Sequence, residues 1–255
     1  MNSELLSIHL PEAIQIPEMN LFSSQSNRLI FCVLFAFVPA TLHAQSQAVV
    51  PSQTPGQKST PGGGAPKYTE EQMQEMVSKL QDRIKKAADA VLGRIQKEEA
   101  GVRVRFNYLR KPERLDPNTY GSKDDITVWR DSLQQLKDKE NGLDKLYADA
   151  EQDLGNALVQ QRVNESIAGQ IKNELLKSFP WSVIKKKSEL MREFIGEHDD
   201  LLTFYDRNWG TWKPGSKLGT ATFADAKLAA TFQNLKDKII TTGQQIEEQY
   251  QLMVQ

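Results

Sequence analysis

The sequence predicts an all-α protein, a bundle of about four long antiparallel amphipathic helices that is partly coiled-coil-like. Apolar residues recur at alternating spacings of three and four from Thr69 onward, which is the periodicity of one helix face. No stretch shows sustained two-residue alternation bounded by hairpin turns, so no significant β-sheet is expected. Because none of these helices can bury its apolar stripe alone, the stripes must pack against one another.

The first helix is marked by a capping box, in which Thr69 is the N-cap and Gln72 follows three residues later. The stripe then runs from Met73 to Leu109. Pro112 ends it, because the residue before a proline disfavours helical backbone. A short turn follows, so the first two helices should pair antiparallel.

A second helical segment begins near Asp124 and continues for about 50 residues, far longer than an average globular helix. The pattern leaves open whether residues 124–178 form one helix or two. The candidate breaks are Asn141-Gly142, Gly155-Asn156 and the polar interval 160–166.

Pro180 starts the third helix, which carries its stripe as far as Tyr205. Asn208 and Gly210 supply stop signals. The fourth helix is expected to begin with Thr222 as its N-cap and Asp225 three residues later. Residues 69–255 therefore form the helical domain.

The segment that precedes this domain is typical of a secretory signal peptide. Within residues 19–44, Arg28 precedes a ten-residue apolar run, and an A-x-A-like cleavage site ends at Ala44. The run is shorter than the ~20 residues that span a bilayer, although an uncleaved signal anchor is the alternative. Residues 1–18 hold three Glu and no Lys or Arg, so we expect translation to start at Met19.

Residues 45–68 contain four prolines and a Gly triplet, a composition that predicts a disordered linker. Cleavage after Ala44 would remove Cys32 and two of the three histidines, leaving only His198. The mature protein would then form no disulfide, and it would be secreted or periplasmic.

Composition and motifs exclude most site chemistries. The formal net charge is -1, which gives no electrostatic reason to expect nucleic acid. A domain with no Cys and one His has no thiolate or His-rich metal site, and no phosphate-binding glycine loop or GxSxG motif occurs. We therefore expect no catalytic residue, cofactor or metal; a carboxylate-based hydrolase is the residual enzyme reading.

Two groups of residues are candidate contact sites. The first is an aromatic joint after the third helix, which is either a plug that closes the bundle or the lining of a ligand pocket. The second is a basic stretch, which either complements a helix dipole or contacts anionic envelope polymers or lipid head groups. The joint candidates are His198, Tyr205, Trp209 and Trp212, and the basic candidates are Arg103, Arg105, Arg110, Lys111 and Arg114.

Two further residue types have simple interpretations. His198 falls on the third-helix stripe, so it is expected to be packed and hydrogen-bonded, with a pH switch as the functional alternative. The run Lys185-Lys186-Lys187 is expected to form a solvated helix face.

The sequence thus favours an exported, non-enzymatic helical scaffold, adaptor or assembly protein that contacts partner proteins or its own copies. The alternative is a bundle that binds a small molecule or glycan at the aromatic joint. A membrane-anchored form, with its signal uncleaved, is the second alternative.

Overall fold

The computed structural model describes residues 68–217 and 220–253 and confirms the all-α fold. The predicted signal segment and nearly all of the linker lie outside the described residues. Within the described ranges, no helix is both long and apolar enough to cross a membrane. The described part of the chain forms five α-helices: α1 (Glu70–Leu109), α2 (Lys123–Gln160), α3 (Glu165–Lys177), α4 (Trp181–Arg207) and α5 (Ala226–Leu252).

Helix α1 begins where the sequence predicts. The Thr69 hydroxyl accepts from the Gln72 backbone N–H, and the Gln72 side chain accepts from the Thr69 N–H. Two short 3-10 turns, Pro112–Leu115 and Pro117–Thr119, carry the chain from α1 to α2.

The long second segment forms two helices, and the break lies in the polar interval. Arg162 adopts a left-handed φ of 56°, and the Val163 N–H donates to the Leu158 carbonyl. The proposed breaks at Asn141-Gly142 and Gly155-Asn156 are wrong, because α2 is continuous through both. A helical glycine costs only about 1 kcal/mol, and buried leucines one residue from each pair outweigh it.

Helices α1, α2, α4 and α5 alternate in direction. Glu98 of α1 pairs with Lys139 of α2, and Asp144 of α2 accepts from Ser188 of α4. Helix α3 packs along α2 and leads into α4 through a break at Phe179-Pro180.

The bundle has two sections. Helix α5 ends at Leu252, one turn beyond Glu247, which pairs with Arg103 of α1. The four-helix section therefore lies on the C-terminal side of Glu99. The three-helix section is formed by the first part of α1, the last part of α2 and α3, with buried residues such as Ile84, Leu154 and Ile171.

The connection from α1 to α2 closes the far end of the four-helix section. Leu115, Pro117 and Tyr120 are buried there, and the Tyr205 hydroxyl donates to the Leu115 carbonyl at 2.9 Å. This hydrogen bond joins the connection to the last turn of α4.

A small hairpin, which the sequence did not predict, joins α4 to α5. Strands β1 (Trp212–Pro214) and β2 (Ala221–Phe223) pair antiparallel, with Trp212 opposite Phe223. Gly215 donates its N–H to the Thr220 carbonyl, and a Cβ on Gly215 would overlap the Thr220 side chain. The turn therefore requires glycine.

The hairpin moves the start of the last helix. Thr222 lies in β2, so its assignment as the N-cap is wrong. Asp225 is the N-cap instead, and its carboxylate accepts from the Lys227 N–H at 2.7 Å. Thr222 does not cap the helix because it pairs with Lys213 across the hairpin, so the helix begins three residues later than predicted.

This assignment gives a direct test. Asp225→Ala should destabilise the protein by about 1 kcal/mol, because it removes the side-chain acceptor of the first turn of α5. Thr222→Ala should cost less, since its hydroxyl makes only a long, exposed bond to Lys213. Urea unfolding followed by circular dichroism measures both, and a larger loss for Thr222→Ala would contradict the assignment.

Candidate functional site

Three of the four joint candidates come together. Tyr205 is fully buried, and its ring centroid lies 5.8 Å from that of Trp212, which lies 5.3 Å from that of Trp209. His198 is separate from them, because it lies seven residues, about 10 Å, before Tyr205 along α4.

The aromatic joint is a packed end of the core. Trp212 is half-buried and contacts Phe223 across the hairpin, and Phe223 contacts Phe204 and Phe232. Trp212 therefore packs against the rings of Tyr205, Trp209 and Phe223. The cluster has the geometry of the plug interpretation, in which ring faces and edges fill the space between α4, the hairpin and α5.

His198 is buried on α4, with its ring 4.5 Å from the Phe194 ring. Burial confirms that the side chain is packed, and its Nε2 has no hydrogen-bond partner among the described residues. Burial lowers the pKa of His198 to about 3. The imidazole therefore stays neutral between pH 5 and 8, which argues against a pH switch at this residue.

The basic candidates do not form one patch. Arg103 and Arg110 turn toward α5, where they lie 2.8 and 3.5 Å from the Glu247 carboxylate. Arg105 turns toward α2 and donates to Gln135. Opposite faces of α1 therefore carry these charges, which reduces their use as a single anion-binding surface.

The two remaining basic candidates lie against aromatic rings. The Arg114 guanidinium lies 4.3 Å from the centroid of Tyr108 and 4.4 Å from that of Trp129, and these two rings stack on each other. Lys111 lies 6.0 Å from the Tyr108 centroid. Cation–π contacts account for these charges without an external anion.

The most unusual polar group is inside the four-helix section. Lys187 is 1% exposed, so its assignment to a solvated face is wrong, although Lys185 and Lys186 are exposed. Its ammonium donates to Glu99 of α1 at 2.7 Å and lies 3.5 Å from Glu140 of α2. Three charged side chains from three helices thus meet in the core.

Tyrosines surround this ionic cluster of Glu99, Glu140 and Lys187. Tyr147 of α2 donates to the second oxygen of Glu99 at 2.8 Å. The ring of Tyr250 from α5 lies 5.7 Å from the Lys187 ammonium. All four long helices therefore contribute a residue either to the ionic cluster or to the tyrosines around it.

Glu140 is the least satisfied member. Neither of its carboxylate oxygens has a hydrogen bond within the described part of the chain. Burial raises the pKa of Glu140; the positive charge of Lys187 opposes this shift, and the negative charges of Glu99 and Asp144 add to it. Of the shifts in this cluster, the one at Glu140 therefore favours the protonated form of a buried carboxyl.

The sequence carried a weak signal for this cluster. Glu99 and Glu140 fall at the spacing of buried stripe positions, Glu99 between Ile95 and Val102, and Glu140 between Leu136 and Leu143. A charged residue in an apolar stripe indicates a buried ion pair, but its partner Lys187 was hidden in a run of three lysines.

A shallow groove of about 650 Å³ lies between α4 and α5, lined by Glu197, Asp237, Lys238 and Thr242 among other residues. Burial raises the pKa of Glu197, while a hydrogen bond from Thr242 opposes the shift. The groove is open, and its lining is about equally polar and apolar. In the described residues no three His, Cys, Asp or Glu side chains are grouped to hold a metal ion.

The chain matches no protein-family model, no curated protein and no solved structure.

Removal of the Lys187 ammonium should strongly lower the stability of the folded protein. Lys187→Met should destabilise the protein by about 3–5 kcal/mol at neutral pH, because it leaves buried carboxylates without their counter-charge. Lys186→Met is the matched control on the exposed side of α4 and should change little. Chemical unfolding of both variants measures the difference, and equal stabilities would contradict the buried ion pair.

Glu140→Gln should stabilise the protein at neutral pH and flatten its pH dependence. The folded state holds the Glu140 proton above the pH at which the unfolded chain releases it, so wild-type stability falls as pH rises through that window. Thermal unfolding of both proteins from pH 4 to pH 8 measures the difference in stability between the variant and wild type. A difference that narrows as pH rises would contradict a raised pKa of Glu140.

Proposed function

We propose that this protein is an exported, non-enzymatic helical scaffold that acts through protein–protein contacts. The observation that supports the proposal is the first part of α1. Residues 70–83 extend the apolar stripe of the core, yet none of them is buried. We call this segment the α1 tip.

The apolar stripe of the α1 tip continues beyond the packed core without a partner surface among the described residues. Met73, Val77 and Leu80 continue the heptad spacing of the buried Ile84 and Ala87. Met73 is exposed, Val77 is half-buried, and only Leu80 packs partly against the core. Neighbouring Tyr68 and Met76 add exposed apolar surface.

Physical chemistry favours a binding role for this segment. A helical segment with no packed face is marginal in water, because most helix stability in proteins comes from burial of an apolar stripe. Burial of apolar surface gains about 25 cal/mol per Å², so a partner on the stripe would stabilise the tip. Contiguous exposed apolar surface commonly marks such sites.

Export is part of the proposal. It rests on the signal-like pattern of residues 19–44. If the signal stays uncleaved, the linker 45–68 would separate the helical domain from it; if it is cleaved, the linker would be the N-terminal arm of the domain. The ligand-pocket alternative has less support, because Tyr205 is fully buried and Trp212 packs on three aromatic rings.

Photocrosslinking tests the proposal in the source cells. A photoreactive amino acid at Val77 should give covalent protein adducts, because that position lies at the centre of the exposed stripe. The same amino acid at Lys185, an exposed position on α4, is the control. Adducts that are equal at both positions, or absent at Val77, would contradict a protein-binding role for the α1 tip.

A further inference from the structure

We propose that the last two turns of α5 form a lid over the ionic cluster, and that this lid opens when Glu140 loses its proton. The α5 lid consists of residues 246–252, and Tyr250 is its buried centre. The inference is independent of the proposed function, because it uses no residue of the α1 tip.

Two carboxylates of the core already have hydrogen-bond donors. Glu99 accepts from Lys187 at 2.7 Å with one oxygen and from Tyr147 at 2.8 Å with the other. Asp144 accepts from Ser188 at 2.8 Å. Charge-assisted hydrogen bonds of this kind replace the water that a buried carboxylate loses.

Glu140 lacks this compensation. The residue is 1% exposed, and neither of its carboxylate oxygens has a hydrogen bond within the described residues. The Lys187 ammonium lies 3.5 Å from it and already donates to Glu99. An ionised Glu140 would therefore be a buried charge with no hydrogen bond of its own, which destabilises the closed bundle.

Charged and titratable groups face Glu140 from all four long helices. Burial raises the pKa of Glu140, the charge of Lys187 opposes this shift, and the negative charges of two neighbours add to it. The closed bundle therefore favours the proton on Glu140. The facing groups are Glu99 of α1, Asp144 and Tyr147 of α2, Lys187 of α4 and Tyr250 of α5.

Helix α5 covers the ionic cluster with its last turns. The Tyr250 ring lies 5.7 Å from the Lys187 ammonium, and Leu252, the last residue of α5, follows two positions later. Burial raises the pKa of Tyr250, and the negative charges of Glu99 and Glu140 add to the shift, as expected for a hydroxyl that faces both carboxyl groups. Displacement of these turns would therefore admit water to Glu140.

The other three long helices are held in place at this level. Helices α1 and α2 continue past the cluster for more than two turns in both directions. Helix α4 begins at Trp181, whose indole N–H donates to the Leu176 carbonyl of α3 at 2.9 Å. The Tyr147 ring also packs against the rings of Phe179 and Trp181. Local opening is therefore easiest at the end of α5.

Few buried side chains hold the α5 lid closed. Within it, Ile246 and Tyr250 are buried, and Glu247 pairs with Arg103 of α1 at 2.8 Å. The Arg103 guanidinium lies 4.8 Å from the centroid of the Tyr250 ring. Segments with few buried contacts open at a lower free energy than the whole domain, so the lid opens as a local event.

The direction of the pH dependence follows from where the proton is held. The closed lid keeps the Glu140 proton to a higher pH than the open lid, in which water solvates the carboxylate. Rising pH therefore favours the open lid, by up to about tenfold per pH unit between the two pKa values of Glu140. Below that range the charge of Glu140 no longer affects the opening.

Amide hydrogen exchange of the full chain from pH 5 to pH 8, corrected for intrinsic exchange rates, tests the lid. In wild type, the protection of the lid amides should fall as pH rises, by up to about tenfold per pH unit. In Glu140→Gln it should not fall, because the neutral amide mimics the protonated carboxyl. Amides of residues 190–194 in α4 should stay more protected than those of the lid at every pH.

Two glutamates within the lid serve as controls. Glu248→Gln removes an exposed charge and should leave the pH profile unchanged. Glu247→Gln weakens the pair with Arg103, so lid protection should fall about threefold at every pH while its pH dependence remains. These variants separate a contact that closes the lid from the group that titrates.

Three results would overturn the inference. They are lid amides as protected as those of residues 190–194, wild-type lid protection that is independent of pH, and a Glu140→Gln variant that keeps the wild-type pH dependence. A Glu140→Gln chain that fails to fold, as judged by circular dichroism, would do the same, because the closed lid requires a neutral group at that position.

Discussion

The buried ammonium of Lys187 is the constraint on which the register of the bundle depends. It binds Glu99 of α1 and lies beside Glu140 of α2, while Tyr250 of α5 covers it. Leucine and isoleucine seams tolerate a shift of one turn, because another apolar residue takes the vacated place. A charged group does not, since a shift of about 5.4 Å would leave it buried without its partner. The ionic cluster thus selects one arrangement among those that apolar packing allows.

The far end of the four-helix section is fixed in a different way. Aromatic rings from α4, the hairpin and α5 fill it, and the Tyr205 hydroxyl attaches the α1–α2 connection to them. Ring packing of this kind depends on shape, whereas the ionic cluster depends on charge. The ionic cluster and the aromatic contacts lie at different positions along α4, and together they determine its axial position and its rotation relative to the other helices.

Much of the fold follows from local sequence, and the rest depends on contacts between distant residues. The Thr69 capping box and the stop at Asn208 and Gly210 were predictable, because both signals act within one turn. The N-cap of α5 was not, since Thr222 is withdrawn into a hairpin by pairing with Lys213. Lys187 was misassigned for the same reason: its carboxylate partners lie on other helices. The aromatic joint was visible in composition, but the partners of Trp212 were not.

Helix α1 runs without interruption from its exposed tip to the residue that holds Lys187. The backbone at its two ends therefore differs in local stability. Near Glu99 an amide is released only when the charged core is opened, which approaches global unfolding, whereas before Ile84 fraying exposes no buried side chain. A single continuous helix thus carries a gradient of opening free energy along its length. Order gained at the tip extends the protected region of the same helix and requires no change in the charged core.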